Sequence, residues 1–139
     1  MSFPARVALA CLTLGLPLLA DGTAQLKDAM SFYYANGAIA LNKEANSGKF
    51  HDSPAGYLII LDDSGKTMIH GESSKFLGAN MSNLKDATGR AYIKEALDAR
   101  AKGKGKVSFL LSKGGAQVKK SLVWEFQEGL LFGWIADEK

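Results

Sequence analysis

Cysteine is nearly absent from this chain: Cys11 is the single one among 139 residues, and it lies in an apolar run near the start. If that run is removed, the remaining chain forms no disulfide, has no cysteine nucleophile and holds no metal through thiolates. The two histidines, His51 and His70, are 19 positions apart with no tight cluster of carboxylates around them. Such a set makes a poor metal site. We therefore predict neither a metal nor a cofactor.

Long hydrophobic runs are also missing. The apolar run Val7–Ala20 has 14 residues, interrupted by a glycine and a proline, whereas a bilayer-spanning helix needs about 20 apolar residues. Arg6 precedes the run and small residues follow it, which is typical of a secretory signal peptide. We predict a signal peptide over residues 1–24, cleaved after Ala24, and a mature single domain over residues 25–139 in the periplasm. A short anchor that does not span the membrane is the alternative.

Strong charge and catalytic patterns are lacking too. The formal net charge is +3 with a pI near 9.0, which mildly favours anionic ligands but gives no support for nucleic acid as a partner. No Gly-x-Ser-x-Gly motif and no paired acid and base emerge from the sequence. We therefore predict that the protein is not an enzyme and has no catalytic residues.

Hydrophobic periodicity predicts two helices. Apolar residues recur at spacings of three and four from Leu26 to Asn46, which indicates one helix of about five turns, with Gly48 suited to a left-handed position just after its end. A second helix is expected over residues 91–102, with Asp86 or Thr88 as its N-terminal cap. The polar segment Gly71–Arg90 between hairpin and helix is expected to be a long packed loop.

Five apolar runs predict strands. The first two flank an Asp-Asp-Ser-Gly turn and should form a hairpin, and the last three follow one another through short turns. These runs are Tyr57–Leu61, Lys66–His70, Val107–Leu111, Val118–Phe126 and Leu130–Ile135. The order predicts an α+β domain on one five-stranded antiparallel sheet, with a long N-terminal helix and a second helix between the early hairpin and the C-terminal meander.

The strand Gln117–Phe126 contains a lysine on its apolar face. Residues of even number in this strand alternate with those of odd number, so Lys120 shares a face with Leu122 and Trp124. An ammonium there is costly to bury unless it meets an anion or another acceptor. Lys120 is therefore a candidate for binding the carboxylate of a ligand. Alternatively, its aliphatic part packs against the sheet while its ammonium group reaches water. Lys119 faces the other way and is interpreted as a solvated charge.

His70, at the end of the second strand, is another candidate. It could donate a hydrogen bond to a ligand oxygen. A histidine in such a place is more often a surface residue or one whose hydrogen bonds are satisfied within the protein.

Three ordered segments carry a family resemblance. They are YLIILDDSGKTMIH from Tyr57, FLGANMSNLKDATGRAY from Phe76 and AKGKGKVSFLLSKGGAQVKKSLVWEF from Ala101. Together they resemble the single Cache domain of the second type, an extracytoplasmic sensor domain of bacterial chemoreceptors and sensor kinases, over roughly residues 26–136. The resemblance implies a PAS-like sheet behind the N-terminal helix and a small pocket between the sheet and the long loop, in which members bind small organic acids or similar metabolites.

Carried over by position, the resemblance implies that His70, Lys120 and Phe109 contact the ligand, and Tyr57 and Leu122 complete the predicted ligand-binding set. Several positions depart from the family pattern. Gly71 replaces a usual proline, Lys106 a frequent tryptophan and Leu122 a tyrosine, and the closing stretch GWIADE is degenerate. Because hydroxyl groups that would orient a ligand are lost, the usual carboxylate specificity is altered or the pocket is more apolar.

The expected function follows from both lines of reasoning. We expect a soluble periplasmic sensor or adaptor that binds a small organic anion and passes a conformational signal to a membrane sensor kinase or chemoreceptor. The N-terminal helix is the expected surface for that signal and for homodimer formation. The alternative is a ligand-free module that binds another exported protein.

Overall fold

Five strands form one antiparallel sheet in the computed structural model, which describes residues 22–50 and 56–138. Their bounds are β1 Tyr57–Asp62, β2 Thr67–His70, β3 Lys104–Lys113, β4 Ala116–Gln127 and β5 Leu130–Asp137. Their spatial order is β2-β1-β5-β4-β3. The continuous apolar sequence of β1 is explained by its interior place, paired with β2 on one side and β5 on the other.

The predicted long N-terminal helix is wrong in one respect, because it is two helices. The first, α1, covers Thr23–Asn36, and the second, α2, covers Ala38–Ser47. Between them Gly37 has φ 90° and ψ 172°, a conformation that is essentially restricted to glycine. The N–H of Gly37 bonds to the carbonyl of Tyr33 and ends α1, while its own carbonyl accepts from Leu41 and begins α2. Apolar spacing continues across the break, so periodicity alone did not detect it.

Two predicted helix ends are also wrong. Gly48 has φ −114°, so it does not adopt the left-handed conformation expected after α2. The helix α3 covers only Tyr92–Asp98, with a short 3₁₀ turn at Arg100–Lys102 after it. Ala91 stands at its N-terminal cap without a side-chain hydrogen bond. Asp86 does not cap this helix, because its carboxylate bonds instead to the loop and to β3.

Both faces of the sheet are covered. On one face α1 and α2 bury Leu58, Ile60, Phe132 and Trp134. On the other face, which we call the α3 face, α3 and part of the long loop pack against alternate strand residues. These are Tyr57, Ile59, Leu61, Val107, Phe109, Leu122, Trp124, Leu131 and Ile135. The predicted α+β architecture with a PAS-like five-stranded antiparallel sheet is confirmed.

The hairpin of β1 and β2 forms as its turn sequence predicted. The Asp62 carboxylate accepts hydrogen bonds from the backbone and hydroxyl of Ser64 and from the backbone N–H of Lys66. These bonds lower the pKa of Asp62, and the bond from the Ser64 hydroxyl has the largest effect. The turn is thus fixed by its own aspartate.

Part of the predicted organisation lies outside the described residues. Residues 1–21, which include most of the predicted signal peptide, are among them, as is His51. Among the residues that are described, no helix has the combined length and apolarity to cross a membrane.

Candidate functional site

Lys120 lies on the α3 face, as the alternation along its strand predicted. Its strand neighbour in register on β3 is Phe109, which is 3% exposed, and Leu122, two residues along on the same face, is fully buried. The Lys120 side chain itself is only 13% exposed. Its charge is therefore largely withdrawn from water in mostly apolar surroundings, where it needs a counterion.

That counterion is Asp137, which sequence analysis missed. The Lys120 Nζ atom lies 2.8 Å from Asp137 Oδ1, and the two residues are directly opposite each other on β4 and β5. The signal was present in the sequence. If Glu128 and Gly129 form a two-residue turn, Gln127 faces Leu130. Counting seven residues away from the turn along each strand then places Lys120 opposite Asp137.

Phe109 is part of an aromatic stack beside this ion pair. Its ring is parallel to that of Tyr92 from α3, with 3.9 Å between the ring centres and 6° between the planes. Burial raises the pKa of Tyr92, and the carboxylates of Asp86 and Glu72 act in the same direction. The pKa of Tyr92 is therefore affected by carboxylates near both ends of the long loop. Sequence analysis placed it in a helix but gave it no part in the site.

His70 and Tyr57 form a second group with Phe76. The His70 ring centre is 5.3 Å from that of Tyr57 and 4.6 Å from that of Phe76. His70 is 2% exposed, so it is not a surface residue. Its Nδ1 atom accepts hydrogen bonds from the backbone N–H groups of Glu72 and Ser73. Burial lowers the pKa of His70 to about 4. The ring is thus neutral near pH 7 and carries its proton on Nε2, a hydrogen-bond donor.

The five predicted site residues share the α3 face, but His70 lies far from Lys120. Tyr57 lies between them, in register with Leu122 through Ile135 and in the same buried apolar cluster as Phe109 and Leu122. Lys120, Phe109 and Leu122 are neighbours on β3 and β4, whereas His70 and Tyr57 are neighbours on β2 and β1. His70 aligns through Ile59 and Gly133 with Trp124, four residues from Lys120 and three strands away. This places the Cα atoms of His70 and Lys120 about 20 Å apart. A small acid bound at Lys120 therefore reaches His70 only if both side chains extend towards it.

The long loop is fastened to the edge of the sheet by Asp86. One oxygen of its carboxylate accepts from the backbone N–H groups of Thr88 and Arg90 and from the Thr88 hydroxyl, and the other accepts from the backbone N–H of Leu110 on β3. These bonds, with that from Leu110 foremost, hold the pKa of Asp86 well below its usual range. Its role here is to position the loop that covers the site.

The opposite face of the sheet has different chemistry. Lys119 is 63% exposed and its Nζ is 3.7 Å from Oε1 of Glu138, whose Oε2 accepts from Ser108 and lies 3.3 Å from Lys106 Nζ. Three cavities of about 260, 290 and 310 Å³, lined by described residues, all lie beside α1 or α2. Lys120 lines none of these three.

Solved structures with similar folds are sensor domains. A periplasmic sensor domain of a chemotaxis protein has a TM-score of 0.63 at 17% identity, covering 97% of this chain and 100% of that chain. A Cache chemosensory domain, described in a study of carboxylic acid recognition, has a TM-score of 0.62 at 20% identity, covering 99% and 100%. A methyl-accepting chemotaxis protein from Vibrio parahaemolyticus has a TM-score of 0.60 at 23% identity, covering 94% and 90%. At these identities the likeness establishes the fold.

The family itself is identified by sequence. No curated protein matches the chain at a significant level. The family model described as "Single Cache domain 2" matches residues 34–134, which is more than half of the chain. This is a family of extracytoplasmic sensor domains that bind small ligands, and it is not a class of enzymes. The chain belongs to the single Cache domain 2 family.

Proposed function

We propose that this protein is a soluble periplasmic sensor or adaptor that binds a small organic anion at Lys120 and signals to a membrane receptor or kinase. The observation that carries the proposal is the Lys120 ammonium, which is 13% exposed on an otherwise apolar sheet face. A largely buried cation whose partner, Asp137, is 65% exposed is a natural contact for a carboxylate. The carboxylic acid recognition described for one similar Cache domain is in keeping with this ligand class.

The geometry favours a ligand held by one end. Its carboxylate meets Lys120, and its carbon chain lies against Phe109 and Leu122, both of them buried and apolar. His70 lines the distant part of the same face and contributes a donor there rather than a second contact to the same carboxylate, while Tyr57 lies between the two, in register with Leu122 through Ile135. A short monocarboxylate fits this asymmetric arrangement better than an acid with charges at both ends.

The test compares two adjacent lysines by isothermal titration calorimetry with acetate, propionate, butyrate and succinate. Lys120→Met should weaken binding of the monocarboxylates at least tenfold, because a charge-assisted hydrogen bond contributes about 1.5–3 kcal/mol. Lys119→Met is the matched control, since it removes the same charge next door on the opposite, exposed face. Its affinity should equal that of the wild type. Equal losses in both variants would show a general charge effect and contradict the proposal.

The alternative expected from the sequence, a ligand-free interaction module, makes a different prediction for the same experiment. It expects no heat with any of the four acids in the wild type or in either variant. Signalling through the N-terminal helices and pairing of two copies through them remain proposals. Both are checked by measuring the mass of the protein in solution with and without a bound acid.

A further inference from the structure

The ion pair of Lys120 and Asp137 is unequal in its exposure to water. The Lys120 side chain is 13% exposed, whereas that of Asp137 is 65% exposed. A carboxylate that is already mostly hydrated loses little when it turns fully into water. The lysine differs, because its side chain is only 13% exposed and its strand neighbour Phe109 is buried. The pair therefore has one fixed member and one exchangeable member.

The fixed member requires an anion at all times. An ammonium that is largely withdrawn from water is strongly destabilised when it has no partner. If Asp137 leaves, another anion must take its place. Replacing one carboxylate by another keeps the charge balance of the buried group unchanged, so the exchange itself is inexpensive.

The position next to the Lys120 ammonium is occupied by Asp137. The three cavities beside α1 and α2 lie away from Lys120. Around its Nζ atom, the Asp137 carboxylate stands at 2.8 Å, the distance at which a ligand carboxylate would bind. An incoming acid thus competes for the place that Asp137 holds.

We propose that Asp137 is a built-in substitute for the ligand's carboxylate, and that a small monocarboxylate binds Lys120 by exchange with it. This inference rests on the proposed function and adds how the site is regulated and which ligand class it admits. A zwitterion such as an amino acid would gain from keeping Asp137 in place beside its own ammonium. The exchange therefore selects acids without a basic group.

The exchange has a defined consequence at the end of β5. Glu138 stays in place, because its backbone N–H donates to the Lys119 carbonyl at 2.8 Å and its carboxylate accepts from Ser108. The Asp137 side chain then loses its contact with Lys120. Binding thus leaves the Asp137 carboxylate, which is already 65% exposed, without the neutralising Lys120 charge, and this changes the surface charge beside the end of β5 that a partner meets.

The test is titration of Asp137→Asn with acetate, propionate and butyrate. Loss of the internal competitor should tighten binding about two- to fivefold, the effect expected from removing an ion pair with one exposed member. Glu138→Gln is the matched control, since it removes the neighbouring carboxylate on the opposite face and should leave affinity unchanged. Equal or weaker binding by Asp137→Asn overturns the inference while leaving binding at Lys120 intact.

A failure of the proposed function gives a different pattern. If neither the wild type nor Asp137→Asn binds any of the acids, both proposals fall. Binding by Asp137→Asn alone would support the exchange, because the competitor then masks the site in the wild type. A measurement on the wild-type protein gives a test that does not depend on whether the variant folds. In a propionate titration the side-chain carboxyl ¹³C resonance of Asp137 should move towards that of a free carboxylate, while that of Glu138 stays constant; an unmoved Asp137 resonance at saturation overturns the exchange.

Discussion

His70 shows how burial determines the chemistry of a single side chain. Its ring is enclosed by Tyr57 and Phe76, and two backbone N–H groups donate to Nδ1. Protonating Nδ1 would replace these attractive contacts by repulsive ones and would place a charge in a poorly hydrated environment. Burial in this environment lowers the pKa of His70 to about 4. His70 therefore contributes a neutral donor to the α3 face rather than a second positive charge.

The lowered pKa of His70 predicts a pH dependence of stability. In the unfolded chain the imidazole titrates near its ordinary pKa of about 6.5, so between that value and about 4 the unfolded state binds more protons than the folded state. The free energy of unfolding should fall as the pH is lowered through this window, by up to about 3 kcal/mol. Urea unfolding at pH 7, 6, 5 and 4 measures it.

His70→Asn provides the comparison, because its side chain retains an acceptor for the two backbone N–H groups but does not titrate. Carboxylates with lowered pKa values, such as Asp86, also lose stability in acid, but they do so in both proteins. The difference in the free energy of unfolding between wild type and variant should become smaller from pH 7 to pH 4. A constant difference would show that His70 does not titrate as its environment indicates.

At the scale of elements, the turn between β4 and β5 sets the register of the site. Glu128 has φ 52° and Gly129 has φ 79°, the pair of positive values typical of a type I′ hairpin turn. This two-residue turn aligns Gln127 with Leu130 and, seven residues back, Lys120 with Asp137. A turn that lies far from the candidate site along the strands thus selects the counterion of Lys120.

The turn also predicts a stabilising substitution. A left-handed backbone costs glutamate roughly 1 kcal/mol, whereas asparagine followed by glycine is the preferred type I′ sequence. Glu128→Asn should raise the free energy of unfolding by about 0.5–1 kcal/mol in urea. Glu128→Ala removes the same charge without any preference for the left-handed conformation and should bring no such gain. Equal stability of the two variants would contradict the explanation.

Elements were predicted well where local chemistry sets them and poorly where packing does. The hairpin turn at Asp62 and the presence of the three late strands follow from turn residues and alternation, and both were predicted. The ends of the strands were not, since β3 covers Lys104–Lys113 rather than Val107–Leu111 and β5 continues to Asp137. The break at Gly37 was missed, because Leu26, Met30 and Leu41 keep a helical spacing across it and the two helices bury one continuous stripe. The role of Asp86 was missed because its partner, the N–H of Leu110, is 24 residues away.

At the scale of the whole molecule, the two faces of the sheet carry different kinds of side chain. The α1 and α2 side is filled by large apolar residues such as Phe132 and Trp134. The α3 face carries the buried lysine, the histidine and the aromatic stack. Because β4 and β5, which supply Lys120 and Asp137, are interior strands that pair along eight residues of one sheet, we expect a ligand held at Lys120 to stabilise the entire domain against unfolding.

That coupling predicts a thermal shift. A ligand that binds the folded state only, at 100 times its dissociation constant, stabilises it by about 2.7 kcal/mol, which corresponds to a rise of roughly 8 °C in Tm for a domain of this size. Propionate should produce this rise in the wild type and none in Lys120→Met. Propionamide, which has the same shape without the charge, is the control. A rise with the amide equal to that with the acid would exclude recognition of a carboxylate.

The sequence alone determined the α+β class, the five strands, the hairpins and the face on which Lys120 lies, because periodicity and turn residues act over a few neighbouring positions. The resemblance of its ordered motifs identified the family. Only the tertiary structure decided that Asp137 balances Lys120, that His70 lies in a separate group, that Asp86 fastens the loop and that Gly37 divides the first helix. Each of these depends on which distant residues come into contact and on how far water is excluded from them, and neither quantity is a property of a local stretch of chain.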